Sequence, residues 1–310
     1  RARSVSRGLG DVYKRQGNDM VVFPTEQAVG LNRRQIGDVI VTVLNDGYLD
    51  LNFSLLDGIS PPGAEEMMRA VHRPPQAKLS VGAYVVQDGR KTVLIDTGAG
   101  GFNGWGGRLR SALLAANIEL DDIDAVLLTH AHPDHIGGLA AAGEIPVFKN
   151  AELILSQHEY EFWTDEKYSF GIPDNARPKF MLARNALAAY RARMTLVTAG
   201  EVLPGIEFVP LPGHTPGHGG YRISSGGSSL LIWGDIVHFP DIQIPCPDVT
   251  IAFDVDPVEA CRTRHRTLDM VASGGELVGG LHLNFPGFIR VLKENGKYSF
   301  YEEPWCPAII

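Results

Sequence analysis

Residues 125–138 read AVLLTHAHPDHIGG, and the reading of the whole chain turns on this stretch. Ala125 to Thr129 is a short apolar run, too short for a helix and suited to a buried strand. It leads straight into His130, His132, Asp134 and His135. Three imidazoles and a carboxylate within six residues are costly to bury unless something satisfies them. His130 and His132 can face the same way if the backbone between them is extended. Pro133 then turns the chain, so Asp134 and His135 fall beyond the bend. Four donors on one turn can thus be divided between two neighbouring cations. Such residues at the end of a buried strand sit on a loop held by a rigid scaffold.

Three further candidates lie downstream, each after a β-type run. His214 sits in PGHTPGH, residues 212–218. Asp235 follows the run Leu230 to Gly234, and His282 follows Leu277 to Leu281. Strand ends are where a sheet presents side chains to a shared edge.

Moving outward, Val39 to Asn45, Asp46-Gly47 and Tyr48 to Leu51 read as a hairpin with a tight turn. Pro61-Pro62-Gly63 breaks the chain, and Ala64 to Val71 reads as a short helix. A second hairpin pairs Ser80–Gln87 with Thr92–Asp96 around Asp88-Gly89. Residues 98–107 are glycine-rich, carry Phe102 and Trp105, and read as a flexible loop. Arg108–Asn117 has helical spacing. Val147–Ser156 reads as a strand, Gln157–Trp163 as a helix, and Pro178–Met194 as a longer helix. Ile206–Leu211, Gly220–Ser224 and Ser229–Trp233 read as strands. Pro257–Ala272 is an amphipathic helix with Val258, Cys261, His265 and Leu268 near one face. A final hairpin, Phe288–Tyr301, turns at Asn295-Gly296. Helices interspersed with mostly antiparallel strands suggest two packed sheets with helices outside.

The 310 residues are 44% hydrophobic and 21% charged, an ordinary globular composition. No run of 18 apolar residues is present, so no membrane-spanning segment is expected, and the composition suits cytoplasm and periplasm alike. A formal charge of −8 disfavours nucleic acid as a partner. Cys246, Cys261 and Cys306 show neither metal spacing nor a disulfide framework and read as bystanders. Arg7 to Gln16, RGLGDVYKRQ, resembles the translation of a transposase sequencing adapter. Residues 1–16 are therefore set aside as an assembly artefact of metagenomic DNA that could have replaced a native start or signal peptide, and 17–310 are read as one domain.

Taken together, HxHxDH, GHTPGH, Gly234-Asp235 after an apolar strand, and His282 before Phe285-Pro286-Gly287 resemble the ligand series of the metallo-β-lactamase superfamily. Leu94-Ile95-Asp96-Thr97-Gly98 matches its early strand motif, and the resemblance runs from about Gly37 to Tyr301. It implies an α/β (α+β) fold, the αββα sandwich of two mixed sheets flanked by helices. It also implies two divalent metal ions, zinc by default with Mn, Co or Fe as alternatives. His130, His132 and His214 would hold the first, and Asp134, His135 and His282 the second, with Asp235 bridging. Asp96 and Thr129 would orient imidazoles. The second histidine of GHTPGH, His218, would be structural.

Within the superfamily the chain resembles methyl parathion hydrolase and the N-acyl homoserine lactone lactonases. His132 stands where flavodiiron proteins carry glutamate, and Asp235 is not the Cys or Ser of the true β-lactamases. His238 stands where the lactonases place a tyrosine. The resemblance implies hydrolysis of a neutral lactone, aryl ester or organophosphate triester by a metal-bridging hydroxide. Asp134 would act as proton acceptor and His238 as proton donor near neutral pH. Alternatives are a β-lactam hydrolase, a glyoxalase II-like thioester hydrolase, and a non-enzymatic metal-binding scaffold. The partner would be a small molecule, with no nucleic acid or membrane, and the assembly a homodimer. Phe102, Trp105, Trp163, Phe170, Phe239 and Phe253 would wall the substrate pocket.

Overall fold

A computed structural model describes residues 27–142, 144–170 and 173–309. The adapter-like segment lies outside the described residues.

Two seven-stranded sheets carry the fold, each with its strands in chain order. The first contains β1 (Leu31–Ile36), β2 (Val39–Asp50), β3 (Lys78–Gln87), β4 (Thr92–Ile95), β5 (Ala125–Leu127), β6 (Glu152–Ser156) and β7 (Met194–Val197). Its first four strands pair antiparallel and its last four parallel. The second contains β8 (Gly200–Leu203), β9 (Ile206–Pro210), β10 (Gly219–Ser225), β11 (Ser228–Ile232), β12 (Leu277–Gly279), β13 (Phe288–Glu294) and β14 (Lys297–Glu302). Only the β11–β12 pair is parallel there.

Side-chain alternation along these strands builds the layers. Val93 and Ile95 point into the core between the sheets, where they join Ile206, Phe208, Ile223 and Ile232. Leu94 points the other way and packs with two helices, α1 (Leu109–Ala115) and α2 (Arg177–Ala189). On the far side Leu231 and Val278 pack against Leu268 and Val271 of α3 (Pro257–Gly274). The order is helix, sheet, sheet, helix, so this is the αββα sandwich of two mixed sheets with flanking helices.

Several local expectations change. Val39–Asp50 is one strand, not a hairpin; the tight turn is at Gly37-Asp38, between β1 and β2. Asp46-Gly47 is a bulge in β2. There the buried Asp46 carboxylate accepts N–H bonds from Ala99 at 2.8 Å, Gly107 at 3.0 Å and Leu109 at 2.7 Å. It therefore clamps both ends of the glycine-rich loop, which is tied down instead of being free. Pro61 and Pro62 open a helix, Pro61–Ala70, because proline needs no N–H partner in a first turn. The long helix stops at Ala189, and Met194 begins β7. The Val147–Ser156 strand is confined to Glu152–Ser156. In α3 the buried face carries Thr263, Arg264, Thr267 and Leu268, while Val258 is exposed. The helix is thus rotated relative to an apolar-only reading. Buried Arg264 causes this, donating to the carbonyls of Ile236, Pro247 and Val249.

Candidate metal centre

The ends of β4, β5, β9, β11 and β12 deliver the expected donors. Asp96 follows β4, His130 to His135 follow β5, His214 follows β9, Asp235 follows β11 and His282 follows β12. Pro133 starts a single helical turn, Pro133–Ile136, with His132 as its extended N-terminal neighbour. That change of backbone turns Asp134 and His135 away from the His130–His132 pair.

Seven side chains converge. Nε2 of His130 lies 3.0 Å from Nδ1 of His132, which is 2.9 Å from Nε2 of His214. Nε2 of His282 lies 3.4 Å from Oδ2 of Asp134, and Nε2 of His135 lies 3.6 Å from the same oxygen. Asp235 sits between the two groups. Its Oδ2 is 3.3 Å from His214 and 3.1 Å from His282, and its Oδ1 is 3.2 Å from His135. Two sets of three donors, His130–His132–His214 and Asp134–His135–His282, are each compact enough to hold one cation.

The outward-facing ring nitrogens explain why the inward ones are free. His135 Nδ1 bonds Asp96 Oδ2 at 2.7 Å, His214 Nδ1 bonds Asp254 Oδ1 at 2.7 Å, and His282 Nδ1 bonds the Ser80 carbonyl at 2.7 Å. His130 Nδ1 is 3.1 Å from Thr129 Oγ1, whose hydroxyl donates to Asp96 Oδ2 at 2.6 Å. A ring N–H committed to these acceptors leaves the other nitrogen as a lone pair aimed inward. Lone pairs facing one another at about 3 Å repel, and buried ones need a partner. His135 Nε2 and Asp235 Oδ1 are buried with no hydrogen-bond partner. The donor set, all imidazole and carboxylate, fits divalent cations of the zinc class.

At His218 and His238 burial outweighs the neighbouring charges. It pushes the His218 ring down to about 3. That ring is fully engaged: Nδ1 donates to the Leu211 carbonyl at 2.6 Å, and Nε2 accepts the Asp235 N–H at 2.8 Å. His218 thus positions the Asp235 backbone and stands behind the donors. Burial also brings His238 down to about 4 against the pull of Asp235. A ring lowered this far is neutral at pH 7 and keeps one N–H to donate. Both its ring nitrogens lack hydrogen-bond partners, and Nε2 is 3.3 Å from Asp235 Oδ2.

Three supporting residues escaped the sequence reading. Glu159 is wholly buried, and burial raises its pKa. It accepts from Ala131 N–H (2.8 Å), Trp163 Nε1 (2.6 Å), Thr215 Oγ1 (2.6 Å) and Gly217 N–H (3.2 Å). It thereby ties the HAHPDH turn to the GHTPGH turn. Gly217 is required there because a Cβ would lie 2.0 Å from the Glu159 backbone nitrogen. Asp254 fixes His214, and Gln243 accepts the backbone N–H groups of His238 and Phe239.

A pocket opens over the donors. Trp105, Phe253, Leu49, Leu79 and Lys179 line it, with His238 at its base beside Asp235. Phe102 packs edge-on to Trp105, and Trp163 edge-on to His132, and neither lines the pocket. Phe239 is in the core against Phe53, and Phe170 is 91% exposed. The structure therefore brings two of the six expected aromatics to the lining. Leu49, Leu79 and Lys179 had no sequence signal.

Residues 78–276 match the family model described as the metallo-beta-lactamase superfamily, and the chain belongs to that superfamily. Among similar structures, a hydrolase of the beta lactamase superfamily, AbOPH, aligns with a TM-score of 0.85 at 30% identity, covering 91% of this chain and 100% of its own. AidC, a dizinc quorum-quenching lactonase in complex with a product, N-hexanoyl-L-homoserine, aligns with a TM-score of 0.83 at 25% identity, covering 90% and 99%. An N-acyl homoserine lactonase of Bacillus thuringiensis is 26% identical over 175 residues, 49% of this chain. That match spans 62% of the lactonase's own length, and a match to a Bacillus subtilis protein spans 63% of its length. Among the described residues no helix is long and apolar enough to cross a membrane.

Proposed function

We propose that the chain is a dinuclear metal-dependent hydrolase of neutral lactones and esters, with phosphotriesters as a further class. The observation that carries this is the placement of Asp235 between two three-donor sets beneath an apolar-walled pocket. The similarity to AidC over nearly its whole length supports lactones first and zinc as the metal. His130, His132 and His214 would hold one cation, Asp134, His135 and His282 the other, and Asp235 both. Bound there, two such cations supply Lewis acidity and a water acidic enough to attack at neutral pH.

The protein's own groups do the rest. Trp105, Phe253, Leu49 and Leu79 exclude water and take up the apolar part of the substrate. Lys179 supplies a cation at the rim, 5.3 Å from the Phe253 ring centroid. It suits the carbonyl oxygen of an ester or the carboxylate of its product. Asp134 lines the pocket and is held well below the usual carboxylate range by His135 and His282, which outweigh its burial. It is assigned as the acceptor of the proton released on hydrolysis. His238, neutral, offers a ring N–H to a substrate oxygen.

A panel on zinc-loaded protein tests this reading: an acyl homoserine lactone, an aryl ester, a phosphotriester, a thioester and a β-lactam. Highest kcat/KM is expected on the lactone or aryl ester. No turnover of any of them with two bound metals would leave the scaffold alternative. His238→Ala is expected to lower kcat about tenfold, the value of one hydrogen bond, at unchanged metal content.

A further inference from the structure

A second constellation of donor atoms lies away from the pocket. Cys261 and His265 are four apart on α3 and so share one helix face. Asp248, on the segment that leads to Asp254, approaches both. Its Oδ1 is 2.8 Å from His265 Nε2 and 3.5 Å from Cys261 Sγ, and the three donor atoms lie within 4.8 Å of one another. The Pro247 carbonyl is 3.8 Å from the same sulfur. None of these groups takes part in the centre described above.

The geometry points to a third metal site, formed by Cys261, His265 and Asp248, for a borderline divalent cation of the zinc class. Thiolate, imidazole and carboxylate are the three protein ligand types such a cation accepts, and water completes four-coordination. The backbone that carries the donors is held in place. Two sit on a rigid 18-residue helix. The third is flanked by Pro247 and Val249, whose carbonyls are both gripped by buried Arg264 at 2.7 Å and 2.8 Å. The i, i+4 spacing sets the Cys261 thiol and the His265 imidazole side by side. Burial and the Asp248 carboxylate raise the thiol pKa, so binding releases the thiol proton and strengthens as pH rises. A cation here would pin to α3 the segment that carries Phe253 into the pocket and Asp254 onto His214.

Cobalt(II) substitution tests the site without reference to activity. The pocket donors include no sulfur, so a near-ultraviolet thiolate-to-cobalt charge-transfer band can come only from a cysteine site. The band is expected in the wild-type chain, in Cys246→Ser and in Cys306→Ser. It should be lost in Cys261→Ser and weakened in His265→Ala and Asp248→Asn. Zinc content after equilibration should fall by about one per chain in Cys261→Ser. His265 and Asp248 are exposed enough that their variants stay folded if Cys261→Ser does not. A wild-type protein that shows no thiolate band, or a band that survives Cys261→Ser, overturns the proposal.

Discussion

The donor ring and the pocket wall face each other across one cavity but are built by different means. Each histidine of the ring, apart from His132, has its second nitrogen committed to a named acceptor: Asp96, Thr129, Asp254 or the Ser80 carbonyl. The wall has no such backing. Trp105 comes from a loop pinned by Asp46, Phe253 from the segment before α3, Lys179 from α2, and Leu49 and Leu79 from neighbouring strands. A ring whose members constrain each other should fail as a unit. A wall of separately anchored apolar groups should fail piecemeal.

Asp235→Asn would strain this contrast most. Both oxygens of Asp235 face imidazole nitrogens, and asparagine replaces one with an N–H₂ that can only donate. Metal content and hydrolysis are expected to fall together, the rate by about a thousandfold for several kcal/mol of lost stabilisation. Metal analysis alongside kcat/KM reads this out. A variant with full occupancy and full rate would remove Asp235 from between the cations.

Glu159→Gln probes the same unity one step further out. The glutamate meets four donors, and glutamine must turn its N–H₂ towards some of them. A loss of about 10- to 100-fold in metal affinity is expected, as for other groups that hold ligands in place. A stability loss of about 1–3 kcal/mol per unsatisfied donor should accompany it. Metal titration and thermal melting check both. A destabilised protein with wild-type affinity would show that Glu159 serves the fold and not the ring.

The same contrast governs what could be read from the sequence. Few residue types can bind a cation, so His130, His132, Asp134, His135, His214, Asp235 and His282 stood out as a pattern. Sheet periodicity likewise exposed both sheets, since Val93, Leu94 and Ile95 alternate between two cores. What stayed hidden depended on distant contacts. Glu159, Asp254 and Asp46 are ordinary acidic residues until folding surrounds each with donors. Phe239 and Phe170 illustrate the converse, because an aromatic ring serves core, surface or pocket equally well, and only tertiary packing sorts them. The apolar face of α3 was misplaced for the same reason, since buried Arg264 mimics a surface residue in sequence.

The smallest expected effects test the wall. Phe253→Ala removes an aromatic surface from the lining; its ring neighbour there is His238, 6.5 Å away between centroids and not one of the seven donors. It also frees Lys179 from the ring it overlies. A rise in KM of about 10-fold is expected on substrates with a long apolar arm, from 1–2 kcal/mol of lost burial, with metal content unchanged. Substrates lacking that arm should be affected less, which separates a wall contact from a general loss of structure. Phe170→Ala is the matched control. At 91% exposure the ring has little to lose, and stability and KM should stay within about 0.5 kcal/mol of wild type. If Phe170→Ala raised KM as much as Phe253→Ala, the segment bearing it would have to close over the pocket when substrate binds. The wall would then be assembled by the ligand, while the ring is assembled by the fold.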